Sequence, residues 1–134
     1  MVHYVTILGQ LRGLNEVLQG ITYIPRAKRK YQNLVKRNND EQCIFFIRQQ
    51  LNGVKITKPI VIHYDIYAQD KRHDRMNIAS ATDKSFQDAL QKCDIIKNDG
   101  WDDVINCTFN FYIDRENPRT EVTITELEDY QKEI

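Results

Sequence analysis

The sequence predicts an α+β domain, a mixed β-sheet covered by two or three helices, and three observations predict it. Stretches with the two-residue period of strands alternate with stretches of the 3.6-residue period of helices. They come in the order strand, helices, strand, helix, strand pair. The 134 residues, 41% hydrophobic and 28% charged, suit one modest core, so residues 1–134 are read as a single domain.

Residues 4–8, Tyr-Val-Thr-Ile-Leu, are rich in β-branched side chains and stop at Gly9, which predicts a first strand. Residues 9–25 hold three glycines and end at Pro25, a surface crossing before a helix that begins near Arg26. One face of that helix carries Arg26, Lys28, Arg29, Lys30, Lys36 and Arg37, and the other is apolar through Tyr31, Leu34 and Val35. Asn38-Asn39-Asp40 prefer caps and turns, so a kink or short break is expected there, followed by a second helical stripe through Ile44, Ile47 and Leu51.

Past the Asn52-Gly53 turn, Ile60, Ile62, Tyr64 and Ile66 alternate with Val61, His63, Asp65 and Tyr67, a strand with one buried face. Residues 69–75 have no apolar anchor and form an exposed loop. Ile78, Phe86, Ala89, Leu90 and Cys93 share one side of a helix over 77–93, with Asn77 at or near its N-cap. After the polar turn at 97–100, residues 104–113 alternate as a long strand. Asn117-Pro118 turns the chain, and 119–125 is expected to return as its antiparallel hairpin partner before an acidic tail over 126–134.

The net charge is zero, from 19 Lys+Arg against 19 Asp+Glu. The sum conceals two opposed halves: residues 1–75 carry 13 Lys+Arg and 6 Asp+Glu, a net of +7, and residues 76–134 carry 6 and 13, a net of −7. Such a split suits a nucleic-acid surface facing an acidic, partner- or metal-facing region, or two halves that attract on folding. No run of 18 apolar residues exists, which excludes a membrane-spanning helix. Met1-Val2-His3-Tyr4 lacks a signal-peptide start, and Cys43, Cys93 and Cys107 cannot all pair, so a soluble, reduced, cytoplasmic protein is expected.

His3, His63, His73 and the cysteines are dispersed without metal-ligand spacing, which argues against zinc, and the cysteines read as core residues. Five glycines form no phosphate loop, so no nucleotide cofactor is implied. Carboxylates remain. Asp74 ends the basic loop and Asp99 follows the next helix, and each alone also fits an ordinary helix start or turn. A helix of about 17 residues separates its ends by roughly 25 Å, so the two meet only if residues 94–99 fold back along it.

Lys71-Arg72-His73-Asp74-Arg75-Met76-Asn77-Ile78, then Lys84 with Phe86-Gln87-Asp88-Ala89-Leu90, then Ile95-Ile96-Lys97-Asn98-Asp99-Gly100-Trp101 and finally Thr123-Ile124-Thr125-Glu126 together resemble the RusA family of Holliday junction resolvases. The matched stretches span roughly residues 54–127. The resemblance implies a homodimeric, Mg²⁺-dependent endodeoxyribonuclease of phage or prophage origin that resolves four-way junction DNA. It assigns Asp74 and Asp99 as catalytic, metal-binding carboxylates and Lys84 as a catalytic or phosphate-binding lysine, with an i, i+4 pair to Asp88 as its ordinary alternative. Arg26, Lys28, Arg29, Lys30, Lys71, Arg72 and Arg75, with Lys36 and Arg37, become phosphate contacts that position DNA without reading bases.

One position departs from the family. Met76 stands where the family has the second Asp of D-x-D-N, and a thioether does not ligate Mg²⁺. Either Asp70, Asp83, Asp102 or Asp103 substitutes, or the chain is a catalytically weakened junction-binding protein. Trp101 and Tyr67 are read as core or sheet-packing aromatics, with stacking at a branch point as the alternative.

Overall fold

The computed structural model describes residues 1–13 and 25–128 and, of residues 25–29 and 31, the backbone alone. Six elements follow in the order β1 (Val2–Leu8), α1 (Pro25–Gln50), β2 (Ile60–Ala68), α2 (Arg75–Lys92), β3 (Val104–Ile113) and β4 (Arg119–Glu126). This is the α+β arrangement that the periodicities predict. The surface crossing expected over 9–25 and the acidic tail fall largely outside the described residues. Among the described residues no helix is long and apolar enough to cross a membrane.

The sheet order is β1-β4-β2-β3, with β2 and β3 parallel and β4 antiparallel to both β1 and β2. The hairpin expected between β3 and β4 does not form. The crossover through α2 sets β3 parallel on one side of β2, as βαβ units require. The free side of β2 then takes β4, whose Thr120, Val122 and Ile124 are buried between neighbours. Residues 114–118 carry the chain across the end of β2, where Arg119 holds the corner by donating to Asp114 Oδ2 and Asn117 O, each at 2.9 Å.

Both helices cover one face of the sheet. Val5, Ile7, Ile62, Tyr64, Val122 and Ile124 meet Cys43, Ile47, Phe86, Ala89 and Leu90 in a single core. Tyr64 lies at its centre, edge-on to Phe86 at 5.7 Å and stacked on Phe109 at 5.1 Å. The opposite face bears His63, Asp65, Tyr67, Glu121 and Thr123, half-buried as an uncovered antiparallel face would be.

The break expected at 38–40 is absent, and α1 runs unbroken for 26 residues. Asn39 and Asp40 do not compete for the local backbone because another group holds each side chain, across the fold for Asn39 and one helical turn back for Asp40. Asn39 Oδ1 accepts from the Arg12 N–H at 3.1 Å and its Nδ2 donates to Arg12 O at 2.8 Å. Asp40 accepts from Lys36 Nζ at 2.8 Å. Of the expected apolar stripe, Val35 is buried but Leu34 is 42% exposed, and the side chain of Tyr31 lies outside the described residues. Helix α2 starts earlier than the sequence predicts: Asp74, not Asn77, is its N-cap. Asn77 instead packs against Gly13, where an added Cβ would come within 2.5 Å of its Nδ2.

Candidate nucleic-acid interface

Strands β2 and β3 end side by side, tied by the Asp114 N–H donating to Ala68 O at 2.8 Å, and α2 begins just above them. In an open sheet with parallel strands, the carboxyl ends of those strands and the following helix N-terminus form the usual ligand crevice. The exposed N–H groups of that first turn carry partial positive charge. Here the loop between β2 and α2 and the chain leaving β3 enclose a cleft of about 650 Å³, whose charged lining is Lys71, Arg72 and Arg115 against Asp70. A second hollow of about 450 Å³ shares Asp70, Lys71 and Ile113 and adds His73 and Arg75.

Local bonds shape this end. The Arg72 N–H donates to Asp70 Oδ1 at 3.0 Å, which curls the loop as an Asx turn, while the Arg72 guanidinium stays 84% exposed. Asp74 accepts from the Met76 N–H at 3.1 Å, and its carboxylate thereby starts α2. Arg75 lies over the Phe111 ring at 6.0 Å, and on the open face of the sheet Arg119 stacks over Tyr67 at 3.8 Å, itself stacked on Tyr112 at 4.7 Å. Burial and then the nearby Glu121 carboxylate push the Tyr67 phenol up, so it stays neutral.

The structure brings Lys71, Arg72 and Arg75 together. Lys30 is exposed on the early part of α1, and the side chains of Arg26, Lys28 and Arg29 lie outside the described residues. Arg115 was not singled out by sequence. It is an isolated cation in the acidic half of the chain, and only the passage of residues 114–118 across β2 brings it beside Lys71 and Arg72.

Asp99 stands elsewhere. It lines a shallow recess of about 390 Å³ with Gln87, Trp101 and Cys107, at the start of β3. The chain after α2 therefore folds back as far as Gln87, thirteen residues past the N-cap, which leaves Asp74 and Asp99 about 20 Å apart along the helix axis. Mg²⁺ takes oxygen ligands at about 2.1 Å. Within one chain the pair does not fit a shared ion. Lys84 lies between, 66% exposed, in a groove shared with Lys36 and Ser80 of the α1–α2 contact. Its distance to Asp88 is 3.7 Å, while Lys36 holds Asp88 more closely at 2.9 Å.

The other acids have local duties. Asp83 accepts from Tyr64 Oη at 2.7 Å, Gln87 Nε2 at 2.8 Å and the Cys107 thiol at 3.3 Å, so it is held by neutral donors under α2. Burial, with Asp83 adding to it, pushes Cys107 up to about 12, and the thiol remains protonated. Asp103 accepts from the Gly100 N–H at 3.2 Å and fixes the turn before β3. Among the described residues no three His, Cys, Asp or Glu side chains lie close enough to hold a metal ion together. Met76 is 61% exposed at the first turn of α2, and Trp101 is 96% exposed, against the expectation that it packs in the core.

A comparison with protein-family models finds no family that matches the chain, and a comparison with curated proteins finds no similar sequence.

Proposed function

We propose that the chain is a RusA-like structure-specific endodeoxyribonuclease that resolves four-way junction DNA as a homodimer, in a cytoplasmic setting of phage or prophage origin. What supports this reading most is the gathering of Lys71, Arg72, Arg75 and Arg115 where two parallel strands and a helix N-terminus converge. Such a surface takes phosphates without reading bases, as recognition of a branched shape requires. The Arg119–Tyr67–Tyr112 stack at the same end offers flat faces for bases opened at a branch.

Asp74, Asp99 and Lys84 are the proposed catalytic positions, and Mg²⁺ would supply charge stabilisation at the scissile phosphate. Because Asp74 and Asp99 do not meet within a chain, cleavage requires two copies. A second reading, a junction-binding protein with weakened catalysis, is favoured by Met76, by the capping duty of Asp74 and by that same separation.

A labelled four-way junction incubated with and without Mg²⁺, beside a linear duplex and the Asp74→Asn and Asp99→Asn variants, separates the two. Paired nicks that need Mg²⁺ and disappear in both variants are the expected result. Tight, salt-sensitive binding without nicks supports the second reading, and absence of binding overturns both.

A further inference from the structure

Two hollows adjoin where β2 and β3 end, and their linings differ. The larger, of about 650 Å³, is polar and carries Lys71, Arg72 and Arg115. The smaller, of about 450 Å³, has an apolar floor of Ile66, Ala68, Ile78 and Phe111. Asp70, Lys71 and Ile113 line both and mark the divide. Strand register supplies the floor, because Ile66 pairs with Phe111 and Ala68 with Ile113 on the face that the helices cover. Helix α2 buries no side chain before Ile78, and at the strand end Ile113 is left 45% exposed.

The Arg75 guanidinium stands 6.0 Å from the centroid of the Phe111 ring, at the limit of a cation–π contact, whereas Arg119 closes over Tyr67 at 3.8 Å. The Phe111 ring is thus not capped by its cation as the Tyr67 ring is. Apolar surface left open beside cations suits a guest of mixed character. We propose that the smaller hollow takes one unpaired nucleobase of bound DNA while the larger takes the phosphates next to it. A nucleotide joins these two parts on a short tether, a flat ring with apolar faces and an anion. Lys71, Arg72 and Arg115 complement the anion against Asp70 alone, whose Oδ1 already accepts from the Arg72 N–H at 3.0 Å. Aromatic rings and guanidinium planes are the surfaces on which proteins stack bases that lie outside a helix.

This inference rests on the nucleic-acid reading above and adds to it what the site selects. A base paired and stacked in a duplex does not reach a hollow, and taking it out costs unstacking energy, least where pairing is already broken. The hollow therefore favours DNA with an unpaired nucleotide at the basic end of the protein, and a branch point or a bulge offers one. Phosphates position the strand, and the base distinguishes an open strand from a paired one.

Fluorescence anisotropy without Mg²⁺ tests it on three duplexes of equal length: one fully paired, one with a single bulged nucleotide, and one with the same bulge lacking its base. The bulged duplex is expected to bind about tenfold tighter than the other two. The abasic bulge keeps the shape and the charge, so the difference belongs to the base. Ile113→Asn makes the divide polar at an exposed position, and Phe111→Leu keeps apolar volume but removes the ring. Each is expected to bring the bulged duplex to within about twofold of the abasic one. Both duplexes are read on the same variant, so a general loss of affinity cancels in their ratio. Equal binding of the bulged and abasic duplexes by the wild-type protein overturns the proposal, as does failure to bind any of the three. So does a preference that survives both substitutions, because the base then sits elsewhere. A protein that prefers the bulged base yet nicks no junction sinks the nuclease reading alone. One that nicks junctions but binds the bulged and abasic duplexes alike sinks this hollow alone.

Discussion

The two ends of α2 carry different mixtures of charge, cations with one aspartate cap at its start and aspartates among lysines past its end. At its first turn the helix carries Arg75 and lies beside Lys71, Arg72 and Arg115, cations carried by two separate loops. Past its last turn, which carries Lys92, the chain runs through Asp94, Lys97, Asp99, Asp102 and Asp103 before β3 begins. The helix between them keeps the two surfaces apart, so a phosphate bound at the basic end would lie beyond reach of the acids at the other end of the same chain. Closeness in a motif is closeness along the chain, and a helix of about 27 Å converts it into separation in space.

Four perturbations break or sharpen this contrast. The largest removes the support of α2 itself. Phe86 is fully buried against Tyr64, and Phe86→Ala is expected to cost about 3–5 kcal/mol in denaturant unfolding, with both ends of the helix losing definition together. Next, replacing Lys71, Arg72 and Arg115 by Ala is expected to weaken junction binding and to flatten its salt dependence by about 0.9 in log–log slope for each phosphate no longer neutralised. Asp102→Asn, at the other end, is expected to leave that slope unchanged in the same titration.

The two acids differ in their structural duty. Asp74→Ala removes the N-cap and is expected to cost about 0.5–2 kcal/mol, whereas Asp99→Ala stays within about 0.5 kcal/mol in thermal unfolding. Asp74→Asn keeps a capping side chain, so it tests chemistry apart from stability.

The smallest effect concerns the corner that delivers Arg115. The Arg119 guanidinium holds the Asp114 carboxyl below its ordinary value. A carboxyl depressed in the folded state adds stability above its unfolded pKa and loses it as pH falls through the folded value. Thermal midpoints are therefore expected to drop below about pH 4, and Asp114→Asn to show a smaller drop over the same range.

Much of this was legible in sequence. The alternations around Tyr64 and Phe109, the stripe through Phe86 and Leu90, and the exposed loop carrying Lys71 and Arg72 all follow from period and polarity. What sequence did not carry was partnership across distance. Asn39 looked like part of a helix break because Arg12, 27 residues away, was invisible as its partner, and β4 looked like the hairpin mate of β3 because nothing local records which side of β2 is free. Arg115 escaped for the same reason. The site residues were readable as chemical types, but the separation of Asp74 from Asp99 depended on how far the chain folds back after α2.

The central claim is that the acids act across two chains, and subunit mixing tests it most directly. Asp74→Asn and Asp99→Asn proteins, each inactive alone, are unfolded together, refolded and given a four-way junction with Mg²⁺. If each site takes one acid from each chain, the mixed dimer carries one intact site, and nicking is expected to return to about a quarter of the wild-type level. A mixture that forms mixed dimers yet stays as inactive as its parents contradicts the account.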